Sequence, residues 1–175
     1  RGLGDVYKTQ ERTEYCYSLL REISNAGHTI GVHSASHDYE KIYASVDAFL
    51  EDFNEAYEIV LEATGKAPDI YRFPGGSVND YNEKTRDDII AEMDRRGFTY
   101  FDWNVDSNDW QGYGWTTLYT NVLKDAEEFS SPVILFHNTG DRDNTVLVIE
   151  DIIKALKNKG YKFGSLSQKI KPVQF

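Results

Sequence analysis

Thr29-Ile30-Gly31-Val32-His33-Ser34-Ala35-Ser36-His37 is the stretch on which the fold turns. Its β-branched opening, Thr29 to Val32, reads as a strand, and that strand ends directly on His33. His37 then falls in the loop or first helical turn beyond. Together with His28, these are three of the four histidines of the chain. A His-x-x-x-His pair lets two imidazoles reach one metal ion when the backbone turns between them. Neutral imidazole nitrogen suits zinc and other borderline divalent ions. The spacing alone describes two surface loop histidines equally well. His28, five residues before His33, points to the other side of the strand and reads as structural.

Outward from this stretch, strands and helices alternate. Tyr15, Leu19, Leu20 and Ile23 recur at helical spacing between about Thr9 and Ala26, and Gly27 ends that helix. Cys16 lies among them and reads as a buried core thiol; as the single cysteine it excludes an internal disulfide. Downstream, Ser45 can cap a helix with the face Phe49, Phe53, Ala56, Tyr57, Val60 and Leu61. Gly65 stops it and Pro68 prevents its return. Ile70 to Phe73 reads as a strand, Lys84 to Arg96 as a helix, and Thr99 to Val105 as a strand. A helix from Thr116 to Phe129, a strand Val133–Phe136, a helix from Thr145 to Asn158 and a short strand Tyr161–Phe163 complete the series. Strands joined by crossover helices imply a parallel sheet, open or closed into a barrel.

The 175 residues read as one domain, 1–175, with a sizeable core. A hydrophobic content of 40% with 14% aromatics belongs to a globular chain. The net charge of -10 argues against nucleic acid and anionic membrane surfaces as partners. No run is long and apolar enough for a transmembrane segment, and no signal peptide opens the chain.

The polar residues fall at strand exits. One strand leads into His33 and His37, the next into Arg72-x-Pro74-Gly75, the next into Asp106 and Trp110, and the last into His137. In parallel α/β architectures the carboxyl ends of the strands lie on one face, where sites are built. Each group alone has a plainer reading: Arg72 as a surface ion-pair residue, Asp106 and Asp109 as turn caps, Trp110 as core. Jointly they predict one hollow shared by His33, His37, Arg72, Asp106 and His137.

These residues carry a resemblance. Gly27-His28-Thr29-Ile30-Gly31-Val32-His33-Ser34-Ala35-Ser36-His37, Arg72-Phe73-Pro74-Gly75-Gly76-Ser77, Asp106-Ser107-Asn108-Asp109-Trp110 and Leu135-Phe136-His137 resemble motifs of the polysaccharide deacetylases. This is the carbohydrate esterase group built on the NodB homology domain, and peptidoglycan N-acetylglucosamine deacetylase is its most similar member type. The resemblance implies an α/β fold, a distorted (β/α) barrel of the NodB type. It also implies hydrolysis of N-acetyl groups on a cell-wall or chitin-like polysaccharide with Zn2+ or another divalent metal. By the same resemblance, His33 and His37 are the histidine metal ligands, and Arg72 orients a catalytic carboxylate. The Gly75 N–H helps form the oxyanion site. Asp106 hydrogen-bonds His137 and keeps it protonated as general acid, while Trp110 and Leu135 wall the pocket for the acetyl methyl.

The sequence also departs from that family. The family's first motif, Thr-Phe-Asp-Asp-Gly, supplies a catalytic base and a third metal ligand, and nothing like it precedes Gly27; Asp5 stands in no such context. The expectation is an N-terminally truncated domain, impaired in catalysis, lacking the first barrel strands and able to form a homodimer through the exposed sheet edge. The family often has a basic residue soon after the motif tryptophan, where this chain has Gln111-Gly112-Tyr113-Gly114. Two other functions stay open: a catalytically inactive relative that binds glycan through Trp110, Tyr113 and Trp115, and a metallohydrolase of another class. The resemblance implies a polysaccharide substrate containing N-acetylglucosamine and an extracellular or cell-envelope location.

Overall fold

The computed structural model describes residues 14–138 and 143–175. They fall into two compact units, residues up to 102 together with 165–175, and residues 103–164. Asp5 and the predicted helix start near Thr9 lie outside the described residues.

The first unit opens with helix α1 (Glu14–Asn25). Gly27 ends it at φ 85°, a left-handed conformation that a side chain would disfavour. The N–H of Gly27 donates to the Ser24 carbonyl and that of His28 to Ile23, so the orphan carbonyls are satisfied as the chain turns away. Cys16 is half-buried on α1 rather than a core thiol, and His28 is exposed. The strand predicted over Thr29–Val32 contracts to one parallel bridge, Val32 to Tyr71. A Cβ on Gly31 would sit 3.1 Å from the Ile70 carbonyl oxygen, so glycine permits this close approach. Asp38 then caps the short helix α2 (Tyr39–Ile42).

Helix α3 (Val46–Thr64) begins as predicted, with the Ser45 hydroxyl accepting from the Ala48 N–H, and ends at Gly65. Its buried face is Phe49, Asp52, Phe53, Ala56, Ile59, Val60 and Ala63. Tyr57 and Leu61, predicted for that face, are half-buried at its margin. Strand β1 (Ile70–Tyr71) pairs in parallel with β2 (Thr99–Tyr100), and helix α4 (Arg86–Arg95) connects them. The core between helices and strands is aromatic. Phe73 lies 5.5 Å from Phe49, 5.2 Å from Tyr71 and 5.4 Å from Tyr100, ring centre to ring centre. Residues 165–175 belong to this unit and lie beside β2: the Asp102 N–H donates to the Val173 carbonyl, and the Gln174 side chain to the Tyr100 carbonyl.

In the second unit β3 (Val105–Asp106) pairs in parallel with β4 (Ile134–Leu135). The strand predicted over Thr99–Val105 is therefore two strands, interrupted where Asp102 turns its N–H to Val173. Helices α5 (Trp115–Ala126) and α6 (Asp143–Asn158) bury Leu118, Val122 and Ala126 against Val148, Ile152 and Leu156. Both sets repeat every four residues, one face of each helix. The predicted strand at Tyr161–Phe163 does not form. Tyr161 instead closes α6 through its N–H to Leu156 and anchors its hydroxyl on the carbonyls of Ala126 and Phe129. Parallel pairing with intervening helices makes the chain an α/β protein. No described helix is long and apolar enough to cross a membrane.

Phe73, fully buried at the centre of the aromatic cluster, sets a test of this packing. Phe73→Ala should cost about 3–5 kcal/mol in urea unfolding, whereas Tyr15→Ala, on an exposed ring, should leave the midpoint within about 0.5 kcal/mol.

Candidate active site

In the first unit His33 follows the Val32 bridge directly, and its ring centre lies 5.1 Å from that of His37. The His33 Nδ1 is 2.9 Å from the Arg72 carbonyl oxygen. A carbonyl only accepts, so Nδ1 carries the proton, the tautomer in which Nε2 bears the lone pair. Two imidazoles at this separation, one already fixed in tautomer, suit a divalent metal of zinc type. Among the described residues no group of three His, Cys, Asp or Glu side chains forms around them.

The loop between the histidines is held from below by a residue the sequence analysis missed. Asp52, buried on α3, accepts from the Ser34 hydroxyl at 2.5 Å, the Ala35 N–H at 2.9 Å and the Ser36 N–H at 2.8 Å. The Ser34 oxygen in turn accepts from the His37 N–H. His37 itself sits at φ 56°, a strained conformation for a residue with a Cβ. Burial pushes the Asp52 carboxyl up, yet the bonds from Ser34, Ser36 and Ala35 outweigh it and hold the group below the ordinary carboxylate range.

Arg72 follows β1, and its Nε donates to the Phe101 carbonyl at 2.9 Å. Burial lowers the guanidinium from its ordinary value while neighbouring Asp102 opposes the shift; the group stays cationic. Gly75 is exposed at φ 77°, and a Cβ there would meet the Tyr39 hydroxyl at 3.2 Å. The turn is clamped on both sides. Tyr43 donates to the Pro74 carbonyl at 2.6 Å, and fully buried Asp102 accepts from both the N–H and the hydroxyl of Ser77. The structure thus brings His33, His37, Arg72 and Gly75 together in one unit.

In the second unit the partner of His137 differs from the expectation. Its Nδ1 lies 2.7 Å from Oδ1 of Asp109, not of Asp106. Asp109 is buried, and its Oδ2 accepts from the His137 N–H at 2.8 Å and the Thr145 hydroxyl at 2.9 Å. Burial raises the Asp109 carboxyl, but the His137 ring and N–H and the Thr145 hydroxyl outweigh it, leaving the pKa below its ordinary value. Asp106 serves the turn instead: its Oδ1 accepts from the Asn108 N–H at 2.8 Å, two residues on. That turn passes Asn108 through a left-handed φ of 56° into a short 3-10 helix, Asp109–Gln111, which aims Asp109 at His137. Trp110 is 54% exposed and so is not core, while Leu135 is buried on β4 two residues before His137.

A family model, "Polysaccharide deacetylase", matches residues 6–97. The chain belongs to the polysaccharide deacetylase family. It is 30% identical over 151 residues to a peptidoglycan-N-acetylglucosamine deacetylase of Bacillus cereus, covering 83% of this chain and 52% of the relative. It is also similar to the crystal structure of the catalytic domain of a peptidoglycan N-acetylglucosamine deacetylase from Eubacterium rectale ATCC 33656, at TM-score 0.85 and 30% identity, over 91% of this chain and 74% of that one. A Bacillus cereus polysaccharide deacetylase structure matches at TM-score 0.78 and 29% identity, over 93% and 78%. The chain spans about half the length of the first curated relatives it matches.

Within this member of the deacetylase family, three carboxylates do work that motif spacing did not assign: Asp52, Asp102 and Asp109. Asp109 had a signal, its place directly before Trp110. Asp52 interrupts an otherwise apolar helix face, and Asp102 an otherwise aromatic stretch, Tyr100-Phe101-Asp102-Trp103. Because the pKa of Asp52 is depressed in the folded state, its stabilisation is present above the unfolded carboxylate value of about 3.9 and is lost as pH falls through the folded one. Asp52→Asn should therefore cost about 1–3 kcal/mol at pH 7, and the gap from wild type should close as urea melts are repeated toward pH 3. A gap independent of pH would contradict the charged acceptor.

Proposed function

We propose that this chain carries the metal-dependent N-deacetylase chemistry of its family, acting on a polysaccharide that contains N-acetylglucosamine, as peptidoglycan and chitin do. The proposed setting is a distorted (β/α) barrel of the NodB type. The observation that carries the reading is the His33–His37 pair, two imidazoles 5.1 Å apart with the His33 tautomer set by the Arg72 carbonyl.

In this reading His33 and His37 hold Zn2+ or another divalent ion. A metal bound there supplies Lewis acidity toward the acetyl carbonyl and toward water. Hydrolysis needs water to add to the carbonyl carbon, the C–N bond to break, and the amine nitrogen to gain a proton, giving acetate and a free amine. The N–H of Gly75 is assigned to donate to the developing oxyanion, a contribution typically worth ~3–4 kcal/mol per donor. Asp109 fixes the proton on Nδ1 of His137, leaving Nε2 to deliver one to the departing amine. Asp106 shapes the turn that carries Asp109, and Leu135 and Trp110 flank the acetyl methyl. Arg72 is assigned to orient the carboxylate base, which does not join the histidines among the described residues. A substrate of the cell wall puts the protein outside the cell or in its envelope.

Zinc titration and acetate release test the reading. His33→Ala and His37→Ala should each weaken zinc by more than the roughly 10–100-fold typical of losing an outer partner. His137→Ala and Asp109→Asn should lower acetate release from chitotetraose by about 10²–10⁴-fold with zinc affinity unchanged. Zinc binding that ignores both histidine substitutions removes the metal assignment. Chitotetraose binding lost in Trp110→Ala, with no acetate released by the unaltered chain, identifies an inactive glycan-binding relative instead.

A further inference from the structure

The ring contacts that begin at the histidines continue outward. His37 lies 5.3 Å from Tyr39, and Tyr39 lies 5.2 Å from Tyr81 in an edge-to-face arrangement at 72°. Tyr39 is half-buried, with its hydroxyl against the Gly75 backbone. Tyr81 is different: the residue is 53% exposed, yet its backbone N–H is tied into the turn. Asn79 accepts the Tyr81 N–H at 2.9 Å while donating to the Gly76 carbonyl at 2.9 Å. Buried Asn82 donates to the Ser77 carbonyl at 3.1 Å. The frame that holds the Gly75 turn therefore also holds an aromatic ring out in water.

The edge-to-face contact with Tyr39 occupies at most one face of Tyr81. An apolar face fixed in solvent is a preorganised binding element, because its ordering cost is met in folding. A pyranose with equatorial substituents presents a flat face of C–H groups, and their partial positive charge suits the negative face of a phenol ring. The net charge of -10 disfavours a polyanionic occupant such as nucleic acid. A neutral sugar chain fits on both counts.

We propose that Tyr81, backed by Tyr39, is a stacking platform for a sugar ring of the N-acetylhexosamine polymer, next to the ring presented to His33 and His37. The inference rests on the deacetylase reading and adds a second point of grip. One sugar cannot use both positions, so affinity should rise with chain length.

Binding of N-acetylglucosamine and of chitotetraose to the zinc-loaded chain, followed by calorimetry or NMR shifts, decides the matter. Tyr81→Ala should weaken the tetramer about tenfold, the scale of one aromatic contact, while the monomer and zinc affinities stay as in wild type. Tyr81→Phe should retain tetramer binding, since the ring and not the hydroxyl is in use. An exposed loop position should leave the thermal unfolding midpoint unchanged, separating lost contact from lost fold. Tetramer binding at the wild-type level in Tyr81→Ala overturns the platform and leaves the deacetylase reading standing. Absence of tetramer binding in the unaltered chain overturns both.

Discussion

A single buried carboxylate shapes the loop between His33 and His37. Asp52 has no hydrogen to donate, so it can be buried only where N–H or O–H groups converge on it. The residues between His33 and His37 provide three, and the bonds fold Ser34-Ala35-Ser36 over the α3 helix. His37 inherits its position from that fold. A left-handed backbone at a non-glycine residue costs on the order of 1–3 kcal/mol, and the Ser34 oxygen that takes the His37 N–H is itself fixed by Asp52. His33 is fixed from the other direction, by the Arg72 carbonyl that the Val32–Tyr71 bridge delivers. One imidazole answers to a helix and the other to a strand.

Asp109 repeats the device in the second unit. It too is buried, and it too collects three donors, two from His137 and one from Thr145 at the start of α6. A carboxylate that is ionised and fully bonded is a rigid object. The orientation of the His137 ring is thus tied to the position of α6, not left to the loop alone.

Much of this was readable from the residues. The β-branched run into His33, the Ser45 cap, the Gly27 and Gly65 stops and the apolar spacing of α5 and α6 all act locally, within a turn or two of chain. The strands were harder. Four-residue runs such as Thr29–Val32 contract to one bridge, because pairing depends on what the neighbouring segment offers. The site residues divide in the same way. Histidines at strand exits announce themselves, but which of Asp106 and Asp109 meets His137 depends on a left-handed turn at Asn108 that the two intervening letters do not specify. Asp52 and Asp102 are still less visible, since their partners lie 16 to 18 and 25 residues away in sequence.

Asp102 ties together two distant parts of the chain. One side chain takes the N–H and hydroxyl of Ser77 and also the N–H of Phe175, while its own N–H goes to Val173. The glycine turn and segment 173–175 thus hang from a common peg. Turn and distal segment therefore rely on the same two carboxylate oxygens, so losing the Asp102 side chain would release both at once.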